Sequence, residues 1–370
     1  MGDRTGIEWT DATWTPIRAR FDTLDGDEAG KPRLGWHCEH VSEGCRLCYA
    51  ESINRRLGTL LPFKPGHRRD VDIFLDEKML AQPLRWRRPR MIFVCSMTDL
   101  FADFVPEAMI DALFAIMALT PWHTYQVLTK RPERLRHYMQ GRAGKLARFM
   151  IDAYLSKAAG DQPAGGRSIN LSWPVKSVGP IDDPEDVTMR HWPLPNVWLG
   201  TSVEDQKAAD QRVPLLLQTP AAKRFLSLEP LLGPVDLARL QEGLPANAWL
   251  TWLDALDWAI VGGESGQGAR PVHPDWVRSL RDQCVAANVP FLFKQWGAWS
   301  PLVDPSAVNA SWATPTSLPG CPNMAAWPDG SVRFGRDVDP AVGAGITMYL
   351  STKKGAGRLL DGVQHDGMPA

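Results

Sequence analysis

A repeated alternation of strand and helix constrains the fold of this chain more than any other feature. Six short apolar runs each end in polar residues and lead into a helical or irregular stretch, and one weaker strand near residues 7–14 precedes them. Such alternation favours a parallel sheet with right-handed crossovers. The six predicted strands are Arg90–Cys95, His123–Leu128, Asn196–Gly200, Lys223–Leu228, Asp257–Val261 and Val289–Phe293.

The polar residues at the ends of these strands favour one kind of parallel sheet over another. An open doubly wound sheet concentrates its site at one switch point, whereas a barrel collects side chains from many strand ends. We therefore predict an α/β fold with a (β/α) barrel, complete or partial, over residues 1–300. The predicted helices are Tyr49–Leu57, Pro106–Leu119, Glu133–Met139, Lys207–Leu217 and Asp275–Asn288.

Two regions fall outside this alternation. A stretch at about 140–195, rich in Gly, Pro and Asp, predicts a helix followed by a surface insertion. Residues 301–370 lose the pattern and are predicted to be a C-terminal extension that packs on the barrel. The first 34 residues predict one short strand within polar loop.

Composition indicates a large soluble protein. The chain has 370 residues, 44% of them hydrophobic and 22% charged, with a net charge of −1. No apolar run reaches the roughly 20 residues of a membrane helix, and the N-terminus is not a signal peptide. We therefore expect a cytoplasmic protein with no membrane partner, whose cysteines stay reduced.

Three of the six cysteines lie within one eleven-residue segment, inside a predicted loop at 35–50. Cys38, Cys45 and Cys48 form a C-x6-C-x2-C pattern, which suits a soft metal, an iron–sulfur cluster or a redox pair. A zinc site with His37 or His40 as the fourth ligand is one alternative. Cys95 and Cys284 are predicted to be buried core thiols.

Several stretches of the chain resemble a known family. They include IEWTDATWTP, GCRLCYAE, FVCSMTDLF, VLTKRPERL, NVWLGTSVE, SLEPLLGPV, DWAIVGGESG and FKQWG. The chain resembles an uncharacterised phage-protein family, also seen in bacteria, that carries a three-cysteine motif of the radical S-adenosylmethionine (SAM) type. The C-x-Leu-C-Tyr ending matches the CxxxCxΦC loop of radical SAM enzymes, although the first gap here is six residues instead of three.

This resemblance implies a cofactor pair. The three thiolates would hold a [4Fe–4S] cluster whose open iron binds SAM, and the cluster electron would generate a radical that attacks the substrate. An electron donor such as flavodoxin or ferredoxin is then required. The cluster loop follows the first predicted strand, which is its place in radical SAM barrels.

The resemblance also implies roles for strand-end residues. The group after the second strand stands where the superfamily binds the SAM amino group, and the group after the fourth stands where it holds the ribose. Glycines and carboxylates after later strands are expected to contact SAM or substrate. These cofactor-binding candidates are Ser96, Thr98, Asp99, Thr201, Ser202, Glu204, Glu229, Gly262, Gly263 and Glu264. Lys130, Arg131, Arg270 and Lys294 are predicted either to bind an anion or to form structural ion pairs.

Two segments rich in lysine and arginine indicate which class of substrate the protein could bind. Residues 55–90 hold ten lysines and arginines against four acidic residues, and residues 130–148 hold seven against one. These blocks suit a nucleic acid or nucleotide, with Trp86 and Tyr138 available for stacking, or they are solvated helix faces. A peptide or small metabolite is the alternative substrate class.

Overall fold

The computed structural model describes the larger part of the chain and divides it into two compact units. Unit 1 comprises Met1–Val41, Ala50–Thr201 and Gln218–Arg224, and unit 2 comprises Ser42–Tyr49, Ser202–Leu217 and Phe225–Ala370. The described residues are 5–22, 31–142, 145–146, 175–178, 187–189, 191–240, 250–301, 323–327, 329, 331–334, 346–350 and 353–370.

The principal sheet has seven strands, and all seven were predicted from the sequence. The strands pair in parallel, and each strand lies beside its neighbour in the sequence. In that order they are β1 (Ala12–Trp14), β2 (Met91–Val94), β3 (Thr124–Thr129), β4 (Val197–Ser202), β5 (Lys223–Leu228), β6 (Trp258–Gly262) and β7 (Phe291–Gln295).

The strand order decides between the two architectures that alternation allows. A doubly wound sheet reverses its order at a switch point, and the order β1 to β7 contains no reversal. The protein is thus an α/β protein whose parallel sheet is compatible with a partial (β/α) barrel. Among the described residues, β1 and β7 stand at the two ends of the order.

Five helices follow the strands close to where the apolar periodicity predicts them. The helix Glu107–Leu119 is almost entirely buried, and the helix Pro274–Ala286 is amphipathic. His273 caps the N-terminus of the latter, because its side chain accepts a hydrogen bond from the Asp275 amide. The helices are α1 (Tyr49–Leu57), α2 (Glu107–Leu119), α3 (Pro132–Arg142), α4 (Gln206–Leu217) and α5 (Pro274–Ala286). Shorter helices span Glu77–Leu80, Gln82–Arg85 and Lys353–Ala356.

The antiparallel sheets correct the sequence prediction. The N-terminal region has further strands beyond the one predicted: Ile17–Asp22 pairs with both Pro32–Gly35 and Asp72–Leu75. The C-terminal extension, in which no strand was predicted, contributes to a four-stranded sheet. Its strands are Trp299–Pro301, Asn323–Ala326, Val332–Phe334 and Ile346–Leu350.

The predicted insertion at about 140–195 lies mostly outside the described residues. Its described strands, Lys145–Leu146, Val175–Val178 and Val187–Met189, form a three-stranded antiparallel sheet. Cys321 also lies outside the described residues.

Large aromatic side chains fill the core of each unit. Trp14 and Tyr125 are fully buried in unit 1, and Phe225, Trp258 and Phe293 are buried in unit 2. Burial of such rings is the main favourable term in folding. Much of the tryptophan content therefore serves packing.

The C-terminal residues of unit 2 lie along β7. The Phe293 amide donates to the His365 carbonyl (3.0 Å), and the Gly367 amide donates to the Phe291 carbonyl (3.0 Å). The Trp258 indole donates to the Gly367 carbonyl (2.7 Å). These bonds satisfy backbone groups at the edge of the sheet. No helix among the described residues is both long and apolar enough to cross a bilayer.

Candidate functional site

The cysteine loop has two segments, one in each unit. The first segment is His37–Glu39 of unit 1, and the second is Glu43–Cys48 of unit 2. Cys38, Cys45 and Cys48 are all partly exposed, whereas Cys95 and Cys284 are buried as predicted. Partial exposure is what a thiol needs to reach a metal or cluster.

The first segment is tied to the ends of β2 and β3. The Thr98 hydroxyl donates to the His37 carbonyl (2.5 Å), and Arg131 Nη2 donates to the Glu39 carbonyl (3.3 Å). Arg131 Nη1 also donates to Asp99 Oδ2 (3.1 Å). We call the Asp99–Arg131 pair the first anchor.

Asp99 is the centre of this arrangement. Its oxygens accept from the Thr129 hydroxyl (2.7 Å), the Lys130 amide (3.0 Å) and the Phe101 amide (2.9 Å), in addition to Arg131. A carboxylate has about four acceptor sites, so the protein itself occupies them. The strand-end position of Asp99 was predicted, and its partners show that it fixes the first segment.

Electrostatics connect the first anchor to Cys38. Burial by itself lowers the pKa of the Arg131 guanidinium, but the negative charges of Asp99 and the Cys38 thiolate outweigh burial and raise that pKa. A thiolate is the form that ligates a soft metal.

His37 is a buried, neutral imidazole beside Cys38. Desolvation, assisted by the charges of Arg68 and His67, lowers the pKa of His37 to about 4. Its Nε2 has no hydrogen-bond partner among the described residues and lies 3.7 Å from Glu39 Oε1. His40, the other predicted zinc ligand, contacts Glu51 Oε2 through Nε2 at 2.5 Å.

The second segment is a tight turn that joins two of the cysteines. The Cys45 amide donates to the Ser42 carbonyl (2.9 Å), and the Cys48 amide donates to the Cys45 carbonyl (3.2 Å). A turn of this kind keeps the first and fourth Cα atoms within about 7 Å. Cys45 and Cys48 can therefore contribute to one site.

Arg270 fastens the second segment to the end of β6. It donates to both oxygens of Glu264, from Nε (2.9 Å) and Nη2 (2.6 Å), and its Nη2 also donates to the Glu43 carbonyl (2.9 Å). Its Nη1 donates to Glu43 Oε2 (3.3 Å). The hydrogen bonds to Glu264 raise the pKa of Arg270. We call the Glu264–Arg270 pair the second anchor.

Glu204 approaches the same segment from the end of β4. A Cβ added to Gly44 would lie 3.3 Å from Glu204 Cδ, so a side chain at Gly44 would crowd the carboxylate. Arg212 donates to both Glu204 oxygens, at 2.8 and 3.3 Å. Sequence analysis did not identify Arg212, because the pair depends on how α4 returns past β4.

The predicted hydroxyls have contacts within their own units. Ser96 Oγ lies 3.5 Å from Thr15 Oγ1, and Thr201 Oγ1 donates to the Thr129 carbonyl (2.8 Å). The Ser202 carbonyl accepts from Arg212 (2.9 Å). Their roles toward SAM stay predictions.

The strand ends of β5, β6 and β7 carry a further polar group. Lys294 Nζ donates to Glu229 Oε2 (2.7 Å), and Gln295 Nε2 donates to Glu229 Oε1 (3.1 Å). A Cβ on Gly262 would lie 3.3 Å from this carboxylate. At Gly263 the added Cβ would lie 2.0 Å from the Trp296 carbonyl oxygen, so packing against β7 requires this glycine.

Three of the basic residues predicted to bind an anion or form ion pairs contact carboxylates, and the aromatic rings predicted to stack on bases are buried. Arg131, Arg270 and Lys294 each form an ion pair with a carboxylate. Trp86 and Tyr138 are both buried, and Tyr138 donates to Asp111. The expectation that these two rings stack on bases is therefore wrong, since neither presents a face to solvent.

Within the described residues, no three His, Cys, Asp or Glu side chains are grouped as metal ligands. The fold and the site residues define an α/β protein in which each cysteine segment is held by an arginine–carboxylate anchor of its own unit. The chain belongs to DUF5131, a family described as a protein of unknown function, whose model matches residues 27–369. No curated protein and no solved structure matches the chain.

Proposed function

We propose that this protein is a radical SAM enzyme in which Cys38, Cys45 and Cys48 hold a [4Fe–4S] cluster. The observation that carries the proposal is three partly exposed thiols within one eleven-residue segment. Three cysteines suit a four-iron cluster with one open iron, whereas a closed zinc site takes four ligands. When bound, the reduced cluster and SAM supply a 5′-deoxyadenosyl radical that abstracts hydrogen from a substrate.

The chain's own residues support this assignment in each unit. The charge of Arg131 interacts with Cys38, and the Cys45–Cys48 turn presents two thiols together. Each segment is held to strand ends of its own unit by an arginine–carboxylate pair. Ser96, Thr98, Thr201 and Ser202 remain our candidates for holding SAM. The carboxylates of Asp99 and Glu204, also predicted to contact SAM, already accept from Arg131 and Arg212.

We propose a nucleic acid or nucleotide as the substrate, which the enzyme modifies or repairs. Supporting this are eight exposed basic residues in unit 1: Arg55, Arg56, Lys64, Arg69, Lys78, Arg85, Arg87 and Arg88. Exposed Lys and Arg side chains attract phosphate backbones. The resemblance to phage proteins also favours nucleic acid over a peptide or small metabolite. Flavodoxin or ferredoxin in the cytoplasm would supply the electron.

Iron and sulfide analysis of the anaerobically reconstituted chain tests the proposal. We expect about four irons and four sulfides per chain and an EPR signal after dithionite reduction that SAM changes. A variant carrying Cys38→Ala, Cys45→Ala and Cys48→Ala should lose both. Cys284→Ala is the matched control, because burial raises the pKa of the Cys284 thiol to about 12 and keeps it protonated.

A zinc protein without radical chemistry is the second candidate. The buried Nε2 of His37, which has no hydrogen-bond partner among the described residues, favours it. Stoichiometric zinc with no uptake of iron, and loss of that zinc in His37→Gln, would establish this candidate and exclude the cluster.

A further inference from the structure

The end of β7 contains an irregularity that brings two consecutive side chains to one carboxylate. Val261 is the partner of Phe293, and Gly262 is the partner of Gln295, so Lys294 is an extra residue in the strand. Consecutive side chains in a regular strand point to opposite faces. The bulge lets both Lys294 and Gln295 contact Glu229, and bulges of this kind commonly re-aim side chains at functional sites.

The contacts of Gln295 fix the orientation of its amide. Its NH2 group faces Glu229 Oε1 and the Ser265 hydroxyl (3.0 Å), and an ionised carboxylate can only accept. The other end of the amide is therefore the oxygen. Gln295 is 3% exposed, and its Oε1 has no hydrogen-bond partner within the described part of the chain.

A buried acceptor without a donor is unfavourable unless a ligand supplies one. Lys294 Nζ, an ammonium with three donor hydrogens, contacts the other oxygen of the same Glu229 carboxylate at 2.7 Å. Glu229 neutralises the charge of Lys294, so the group does not select an anion. The group offers one acceptor and one donor on two side chains that contact the two oxygens of a single carboxylate.

We propose that Gln295 Oε1 and Lys294 Nζ bind the lactam edge of a nucleobase, an N–H beside a C=O as in uracil. The ring N–H would donate to Gln295, and the carbonyl would accept from Lys294. A ring lactam presents these groups on one edge, whereas a trans peptide presents them on opposite sides. The inference rests on the proposed nucleotide substrate and names its chemical class, but it does not require the cluster.

Calorimetric titration of the full chain with four probes tests this site. The probes are uridine, 3-methyluridine, adenosine and N-acetylalanine methylamide. We expect uridine to bind about tenfold or more tightly than 3-methyluridine, which lacks the ring N–H. Gln295→Met should abolish this preference, and Lys294→Met should weaken uridine binding.

Gln126→Met is the matched control. Gln126 is also a buried strand amide whose Oε1 has no partner among the described residues, but its Nε2 donates to the Trp9 carbonyl instead of to a carboxylate. The control should keep the preference for uridine.

Several results would overturn the site: equal binding of uridine and 3-methyluridine, no binding of either, tighter binding of adenosine or of the peptide amide, or an unchanged preference in Gln295→Met. If Gln295→Met does not fold, two other measurements decide whether the site exists. They are the comparison of uridine with 3-methyluridine on the wild-type chain and the titration of Lys294→Met. Iron content measured on the same samples separates this test from that of the proposed function. A preference for uridine without cluster uptake keeps the site and rejects the enzyme class.

Discussion

The two anchors hold similar cysteine segments in different ways. Asp99 and Arg131 are 9% and 12% exposed, whereas the second anchor continues to Glu43, whose side chain is 72% exposed. The first anchor touches its segment through one arginine contact and relies on Thr98 for another. The second makes two arginine contacts, one of them to backbone. The first anchor therefore depends on one nearly buried ion pair. The second anchor divides its contacts between a backbone carbonyl and an exposed carboxylate.

Arg131→Met is expected to have the largest effect. It leaves Asp99 charged and nearly buried, and the loss of one partner of a buried pair costs about 3 kcal/mol or more of unfolding free energy. Urea denaturation measures the change. Arg20→Met is the control, because its partner Asp72 lies at 2.9 Å on the surface and such pairs contribute about 1 kcal/mol or less. Equal losses in both variants would contradict the assigned role of burial.

Arg270→Met should cost less, about 2 kcal/mol, because the arginine is 22% exposed although Glu264 is buried. The more specific result concerns the thiols. Alkylation of Cys45 and Cys48 should become faster while that of Cys38 stays unchanged. Arg278→Met, which removes an exposed pair with Asp361 in the same unit, should alter none of them. A uniform change in all three rates would show that the anchors do not act on separate segments.

Thr98→Val tests the second contact of the first segment. The variant leaves the His37 carbonyl without its hydroxyl donor at 2.5 Å, which should cost about 1 kcal/mol. Thr98→Ser keeps the hydroxyl and should recover most of the stability. If serine is as unstable as valine, packing of the threonine methyl and not the hydrogen bond holds the segment.

Glu43→Ala should have the smallest effect, within about 0.5 kcal/mol of wild type, as expected of an exposed position. Arg270 would still donate to the Glu43 carbonyl, which the substitution does not remove. A loss comparable to that of Arg270→Met would mean that the carboxylate, not the backbone, fixes the second segment.

The sequence predicted the principal sheet well because its signals are local. Each strand of that sheet is an apolar run bounded by polar residues, and β5 occupies the predicted range Lys223–Leu228. The antiparallel strands were missed because their partners are distant: Arg20 of one strand pairs with Asp72 of another. The alternation of apolar Ile17, Ala19 and Phe21 with polar residues is a sequence signal that could have identified that strand.

The sequence also predicted polar residues at the strand ends, but it could not predict which of them form ion pairs. Asp99 and Arg131 follow different strands, as do Glu229 and Lys294, so which charges meet depends on strand order. The bulge at Lys294 and the Glu204–Arg212 pair had no local signal at all.

The amino-acid sequence by itself determined the alternation of strand and helix, the segment that carries three thiols, and the buried state of Cys95 and Cys284. These depend on hydrophobic periodicity and residue type, which act over a few residues. Only the tertiary structure decided that arginines fasten the two cysteine segments and that Lys294 and Gln295 meet the Glu229 carboxylate. Those contacts join residues far apart in the chain, and their geometry exists only once the sheet has brought the strand ends together.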